Sequence, residues 1–142
     1  IIEGYFAMFP GVRKYMDECV EKTKSTGYVT TLFGRRRLLP DINSRNAVVR
    51  GYAERNAINA PIQGTAADVI KIAMINIYKK FKEEGICSKM ILQVHDELNF
   101  DVLPEELEKV ETIVKSEMES AAKFRVPLVA DCGKGDNWLE AH

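Results

Sequence analysis

The sequence predicts an α+β fold in which an antiparallel sheet is covered on one side by helices. Three observations predict it. Residues 90–102, MILQVHDELNFDV, alternate apolar Met90, Leu92, Val94, Leu98, Phe100 and Val102 with polar Gln93, His95, Glu97, Asn99 and Asp101, which is the period of a half-buried strand. Other stretches instead carry apolar residues three and four apart, bounded by Pro or Gly. The order is helix, hairpin, two helices, hairpin, helix, strand, with no internal repeat.

Taken in order, Pro10 suits the first turn of a helix whose stripe, Val12, Tyr15, Met16, Cys19, Val20 and Thr23, is expected to pack in the core, with Gly27 as its stop. Residues 28–39 read as two short strands around Gly34, closed by Pro40, with Arg35, Arg36 and Arg37 at the tip. A second helix is expected from Ser44, a candidate cap, to Asn59, burying Ala47, Val48, Tyr52, Ala53 and Ile58 before Pro61 breaks it. A third starts with Thr65 as N-cap and Asp68 as its capping-box partner, carries Ile70, Ala73, Met74, Ile77 and Phe81 inward, and ends at Gly85. After the 90–102 hairpin, Pro104 opens a fourth helix with Leu107, Val110, Val114, Met118 and Ala121 on its stripe, and 127–132 reads as a last strand.

The hairpin is the informative element. An unbroken strand would place Asp96 in phase with the apolar side chains, where an unpaired carboxylate costs roughly several kcal/mol. Either the chain turns at His95-Asp96, or the carboxylate has a strong partner such as a metal ion; the two are compatible. The pair holds neither Gly nor Asn, the usual residues of two-residue turns, so its composition points to chemistry more than to folding ease. Burial of Leu92, Val94, Leu98 and Phe100 is expected to fix the register.

At 142 residues and 46% apolar content the chain suits one domain or part of a larger one. It begins with Ile1 and has no charged leader, which is the expectation for a segment of a longer protein. Its apolar stretches fall far short of the ~20 residues that span a bilayer, so no membrane role is expected. Cys19, Cys87 and Cys132 lack CxxC spacing and suit a reducing cytoplasm. The net charge of −1 hides an asymmetry: six arginines face two acids over residues 35–55, whereas twelve acids face five bases over 96–142. A basic middle beside an acidic end reads as a phosphate-meeting surface near a place that concentrates cations.

A hard cation such as Mg2+ binds through one or two protein carboxylates, so Asp96 is a candidate ligand with Glu97 next to it; the plainer reading is a turn-forming Asp. His95 alone is an ordinary turn histidine, and with His142 the only other one, a histidine-based zinc site is not expected. Arg55, Asn59 and Gln63 are donors spaced by four, suited to the acceptors that the minor groove presents on either orientation of a base pair, unless Asn59 and Gln63 merely cap two helices. By themselves three arginines on a turn more often describe a solvated surface, and the neighbouring Arg45, Arg50 and Arg55 shift the reading toward phosphate contact.

Taken together, YFAMFPGVRKY, GYVTTLFGRRRLLPDI, ERNAINAPIQGTAADVIKIAM, LQVHDELNFDV and VPLVADCGKGDNWLEAH resemble, in order along nearly the whole chain, the family A DNA polymerases. The resemblance implies the last part of the fingers, residues 1–60, and the C-terminal half of a palm with an antiparallel sheet, residues 61–142. It implies that Asp96 is one of two aspartates holding two catalytic Mg2+ ions, with Glu97 an accessory carboxylate and His95 near the primer terminus. Arg55, Asn59 and Gln63 would contact the primer-template, and the Arg35, Arg36, Arg37 hairpin would lie toward the template. The partners implied are a DNA primer-template and deoxynucleoside triphosphates. The family's first metal-binding aspartate and its nucleotide-binding helix lie upstream of these residues, so the segment alone is expected to be inactive. A non-catalytic DNA-binding segment is the alternative; a metal-dependent nuclease needs more clustered acids than this sequence offers.

Overall fold

The computed structural model describes residues 2–141. Ile1 and His142, the residues of the start-site and zinc-site expectations, lie outside them. Two compact units, Ile1–Thr65 and Ala66–His142, divide the chain, and each has its own apolar core.

In the first unit, helix α1 (Ile2–Met8), for which the sequence reading had no counterpart, precedes α2 (Pro10–Thr26). Gly27 ends α2 in the left-handed region, φ 78°, and gives its N–H to Thr23 O at 2.8 Å. Strands β1 (Tyr28–Thr30) and β2 (Arg36–Leu38) pair antiparallel with Tyr28 opposite Leu38. Gly34, at φ 84°, takes the bend between them. A 3-10 turn (Pro40–Asn43) then leads to α3 (Ala47–Glu83). The core is Val29, Leu39, Ile42, Ala53, Ala57 and Ala60, with Val20 against it.

Five expectations are corrected here. Most of the α2 stripe is not core: Val12 and Tyr15 are exposed and Met16 and Cys19 half-buried, while in the last turns Val20 packs against the core and Thr23 is buried. The helix cap is Asn46 and not Ser44, because Asn46 Oδ1 accepts from Val48 N (3.0 Å) and Val49 N (3.4 Å), while Ser44 Oγ only braces Asn46 N. Val48 and Tyr52 point to solvent, and the buried face is the alanine row Ala53, Ala57, Ala60. Pro61 does not break the helix: α3 runs unbroken for 37 residues. Proline removes one N–H from the ladder and leaves the remaining bonds to carry the turn. Thr65 is therefore inside the helix, its hydroxyl donating to Pro61 O at 2.6 Å, and no capping box with Asp68 forms.

In the second unit the end of α3 presents Ile70, Ala73, Ile77 and Phe81 inward, as its spacing predicts. Strands β3 (Lys89–Val94) and β4 (Glu97–Asp101) pair antiparallel, and a 3-10 turn (Pro104–Glu106) opens α4 (Leu107–Glu119). Ile77, Phe81, Val110, Ile113 and Val114 form the core, with Met90, Leu98, Phe100, Val102 and Met118 packed on it. So helices do cover one face of the hairpin.

The expected apolar phase fails in the first strand. Met90 pairs with Phe100 but Leu92 with Asn99, so Ile91 is an extra residue, a bulge that shifts everything after it to the opposite face. Leu92 is accordingly 46% exposed. Residues 127–132 form no strand. The Ala130 amide goes to Glu119 Oε1 (3.1 Å) on α4 instead of to a neighbouring backbone. The architecture is α+β with two separate two-stranded ladders among the described residues.

Polar ties complete the unit. The Glu106 carboxylate accepts from Cys87 N, Ser88 N and Ser88 Oγ, and these bonds hold it below the usual carboxylate range. Lys109 Nζ meets Glu84 at 2.9 Å and lowers the Glu84 pKa likewise. A short helix α5 (Trp138–Ala141) ends the described chain. No helix among the described residues is long and apolar enough to cross a membrane.

Candidate nucleic-acid and metal site

His95 and Asp96 form the two-residue connection between β3 and β4, with Val94 paired to Glu97. His95 supplies the positive φ that such turns need, 53°, and is the only non-glycine residue with one among the described residues. Gln93 Nε2 donates to His95 O at 2.6 Å and braces the turn. Asp96 is exposed at the tip, with no hydrogen-bond or ion-pair partner among the described residues. Glu97 is half-buried, and its Oε1 accepts the indole N–H of Trp138 at 2.7 Å.

The C-terminal segment that carries Trp138 also belongs beside the turn, which the hairpin's own local sequence pattern does not show. The signal was in GKGDNW: any Cβ on Gly133 would collide with the Ala141 backbone, and one on Gly135 would sit 2.5 Å from Glu140 Cβ. Both glycines thus permit the segment to fold against α5. That fold also has Asn137 Nδ2 donating to Glu140 Oε1 at 2.7 Å.

As for a cation, Asp96 and Glu97 are the right donors for Mg2+, which takes one or two protein carboxylates and fills its shell with water and phosphate oxygens. No cluster of three or more His, Cys, Asp or Glu side chains suited to a metal occurs among the described residues. The donor set fits as part of a site.

In the first unit Arg55, Asn59 and Gln63 are exposed along α3 at successive four-residue steps, one side of a helix. None of them ends a helix, so the capping explanation of Asn59 and Gln63 is removed. Arg55 lies over the Tyr52 ring, 5.9 Å from its centroid. Of the three arginines expected at the hairpin tip only Arg35 is there, since pairing with β1 draws Arg36 and Arg37 into β2: Arg35 donates to Gly64 O at 3.0 Å, Arg36 lies 4.7 Å over the Tyr28 ring, and Arg37 is exposed opposite Val29.

The family model of DNA polymerase family A matches residues 1–140. The chain belongs to DNA polymerase family A. Its sequence is 54% identical over 140 residues to DNA polymerase I of Streptococcus pneumoniae (serotype 4) and 52% identical over 140 residues to that of Geobacillus stearothermophilus. Each alignment covers 99% of this chain and 16% of the relative, so the chain spans about a sixth of their length. The POL domain of Pol1 from M. smegmatis, solved in complex with DNA primer-template and dNTP, superposes with a TM-score of 0.96 at 46% identity, over 99% of this chain and 25% of that one.

Proposed function

We propose that the chain is a segment of a DNA-directed DNA polymerase, one that adds deoxynucleotides to a primer 3′ end on a DNA template. The observation that carries the reading is Asp96, held out on a two-residue turn whose strained position is filled by His95, in a chain that matches family A over residues 1–140. Residues 1–60 are read as the last part of the fingers and 61–142 as half of the palm; the working compartment is read as the cytoplasm.

In this reading Asp96 holds Mg2+ and Glu97 is the accessory carboxylate. The metal, two ions in the whole enzyme, would make the primer 3′-hydroxyl more acidic and neutralise charge on the incoming triphosphate. The protein's part is placement. The β3–β4 ladder stiffens the tip and Trp138 keeps one Glu97 oxygen occupied; His95 is read as the residue near the primer terminus. Arg55, Asn59 and Gln63 offer donors to minor-groove acceptors that all base pairs share, which tests pair shape without reading sequence. Arg35, Arg36 and Arg37 lie toward the template. The 142 residues alone are proposed not to extend DNA, because a second metal-holding aspartate and a nucleotide-binding helix are not among them.

Primer extension tests this. In the polymerase that carries the chain, Asp96→Asn abolishes extension and leaves primer-template affinity intact, and the isolated 142 residues incorporate nothing with Mg2+. Undiminished extension by Asp96→Asn would instead make the chain a non-catalytic DNA-binding segment, whose affinity would fall steeply with salt and ignore divalent metal.

A further inference from the structure

The side chain of Thr65 is buried, and its hydroxyl both accepts and donates. Leu32 N, at 3.0 Å, can only donate, so Thr65 Oγ1 accepts there and sends its own proton to Pro61 O at 2.6 Å. This bond spans 33 residues and joins the tip of the β1–β2 hairpin to α3. Two further contacts fall at the next residue. Arg35 donates to Gly64 O at 3.0 Å, and a Cβ on Gly64 would come within 2.6 Å of Thr31 Cγ2, so only glycine admits the hairpin this closely.

The docked tip is itself closed. Thr31 N donates to Arg35 O (2.9 Å), Gly34 N to Thr31 O (3.0 Å) and Arg35 N to Thr31 Oγ1 (3.2 Å). Apolar burial does not hold it down, since Leu32 is 74% and Phe33 48% exposed. The attachment is therefore polar and local, one and two residues past Gln63 on the same helix.

We propose that Thr65 is a positioning residue: by docking the hairpin on α3 it sets Gln63 and the hairpin arginines, Arg35 at the tip and Arg36 and Arg37 on β2, in one fixed arrangement, and so governs how strictly the polymerase tests the terminal base pair. The inference rests on the DNA-facing reading of Gln63 above. Arg35 acts within the dock, and Arg36 and Arg37 are what the dock presents.

The test uses the whole polymerase carrying this chain, with the ratio of kcat/KM for paired over mispaired primer termini as readout. Thr65→Ser, which keeps the hydroxyl, holds the ratio within about twofold. Thr65→Val, which keeps the shape and strands the Leu32 N–H, lowers it about tenfold, the scale of one lost hydrogen bond. Gln63→Ala lowers it comparably, and the double variant adds little, because the two act as a unit. Hydrogen exchange of a peptide covering residues 31–35 quickens in Thr65→Val and not in Thr65→Ser. Should Thr65→Val fail to fold, Gly64→Ala, which pushes Thr31 away, gives the same fall in the ratio. A ratio unchanged in Thr65→Val or Gly64→Ala while Gln63→Ala lowers it overturns the positioning role alone; a ratio unchanged in Gln63→Ala overturns the DNA-facing reading beneath it.

Discussion

Trp138 Nε1 donates to Glu97 Oε1 at 2.7 Å across 41 residues of sequence, tying the last described helix to the strand that follows Asp96. A hydrogen bond to a charged group is worth about 1.5–3 kcal/mol, and the half-exposed indole puts this one toward the low end. Trp138→Phe keeps the ring and removes the donor. Extension by the polymerase then needs about two- to tenfold more Mg2+ for half-maximal rate, while primer-template affinity is unchanged. A Mg2+ titration beside a binding isotherm checks both.

His95 occupies a conformation that costs an ordinary L-residue roughly 1–2 kcal/mol and suits Asn and His better than most. His95→Asn should leave the unfolding midpoint nearly unchanged. His95→Val, β-branched, should lower stability by about 1–2 kcal/mol, measured by denaturant titration. If the imidazole serves the primer terminus, His95→Asn still loses extension, which separates the turn from the chemistry.

Much of this was legible in local pattern. The alternation of 90–102 and the misfit of Asp96 located the hairpin and its tip, since both depend only on neighbours in sequence. The Ile91 bulge was only half legible: Met90-Ile91-Leu92 interrupts the alternation with three apolar residues in a row, but whether that interruption becomes a bulge depends on the pairing of two strands. Residues 127–132 have strand composition, but a strand exists only with a ladder partner, and Glu119 captured the Ala130 amide instead. Thr65 after Pro61 imitates a helix start; the Leu32 N–H that claims its hydroxyl lies 33 residues away. Trp138 is hidden for the same reason of distance, since its partner Glu97 lies 41 residues earlier.

Glu106 gives a pH dependence of definite sign. Its carboxylate is held below the usual range, chiefly by the Cys87 N–H and then by Ser88. The ionised form is thus favoured by folding, and the stabilisation is complete above the ordinary carboxylate pKa and lost as pH falls through the lower folded value. Protection factors of the Cys87 and Ser88 amides should fall across that acidic window. In Glu106→Gln they should be low and flat over the same range.

Pro61 gives the prediction in which stability and function part. Its ring nitrogen offers no N–H to the carbonyl four residues back, at Ala57, and Ala57 is fully buried, so water does not replace the missing donor. An interior proline costs about 3 kcal/mol relative to alanine, and the stiffer unfolded chain returns about 0.4–1 kcal/mol. Pro61→Ala should therefore stabilise by up to about 2 kcal/mol, seen as a raised urea midpoint with an unchanged slope. The same substitution restores a backbone N–H between Asn59 and Gln63, two of the three donors proposed to face the minor groove, and so changes the helical ladder that sets their spacing. Terminal-mismatch discrimination should then drop although the protein is more stable. A variant that gains stability and keeps its discrimination would show that the proline shapes the helix without aiming Gln63.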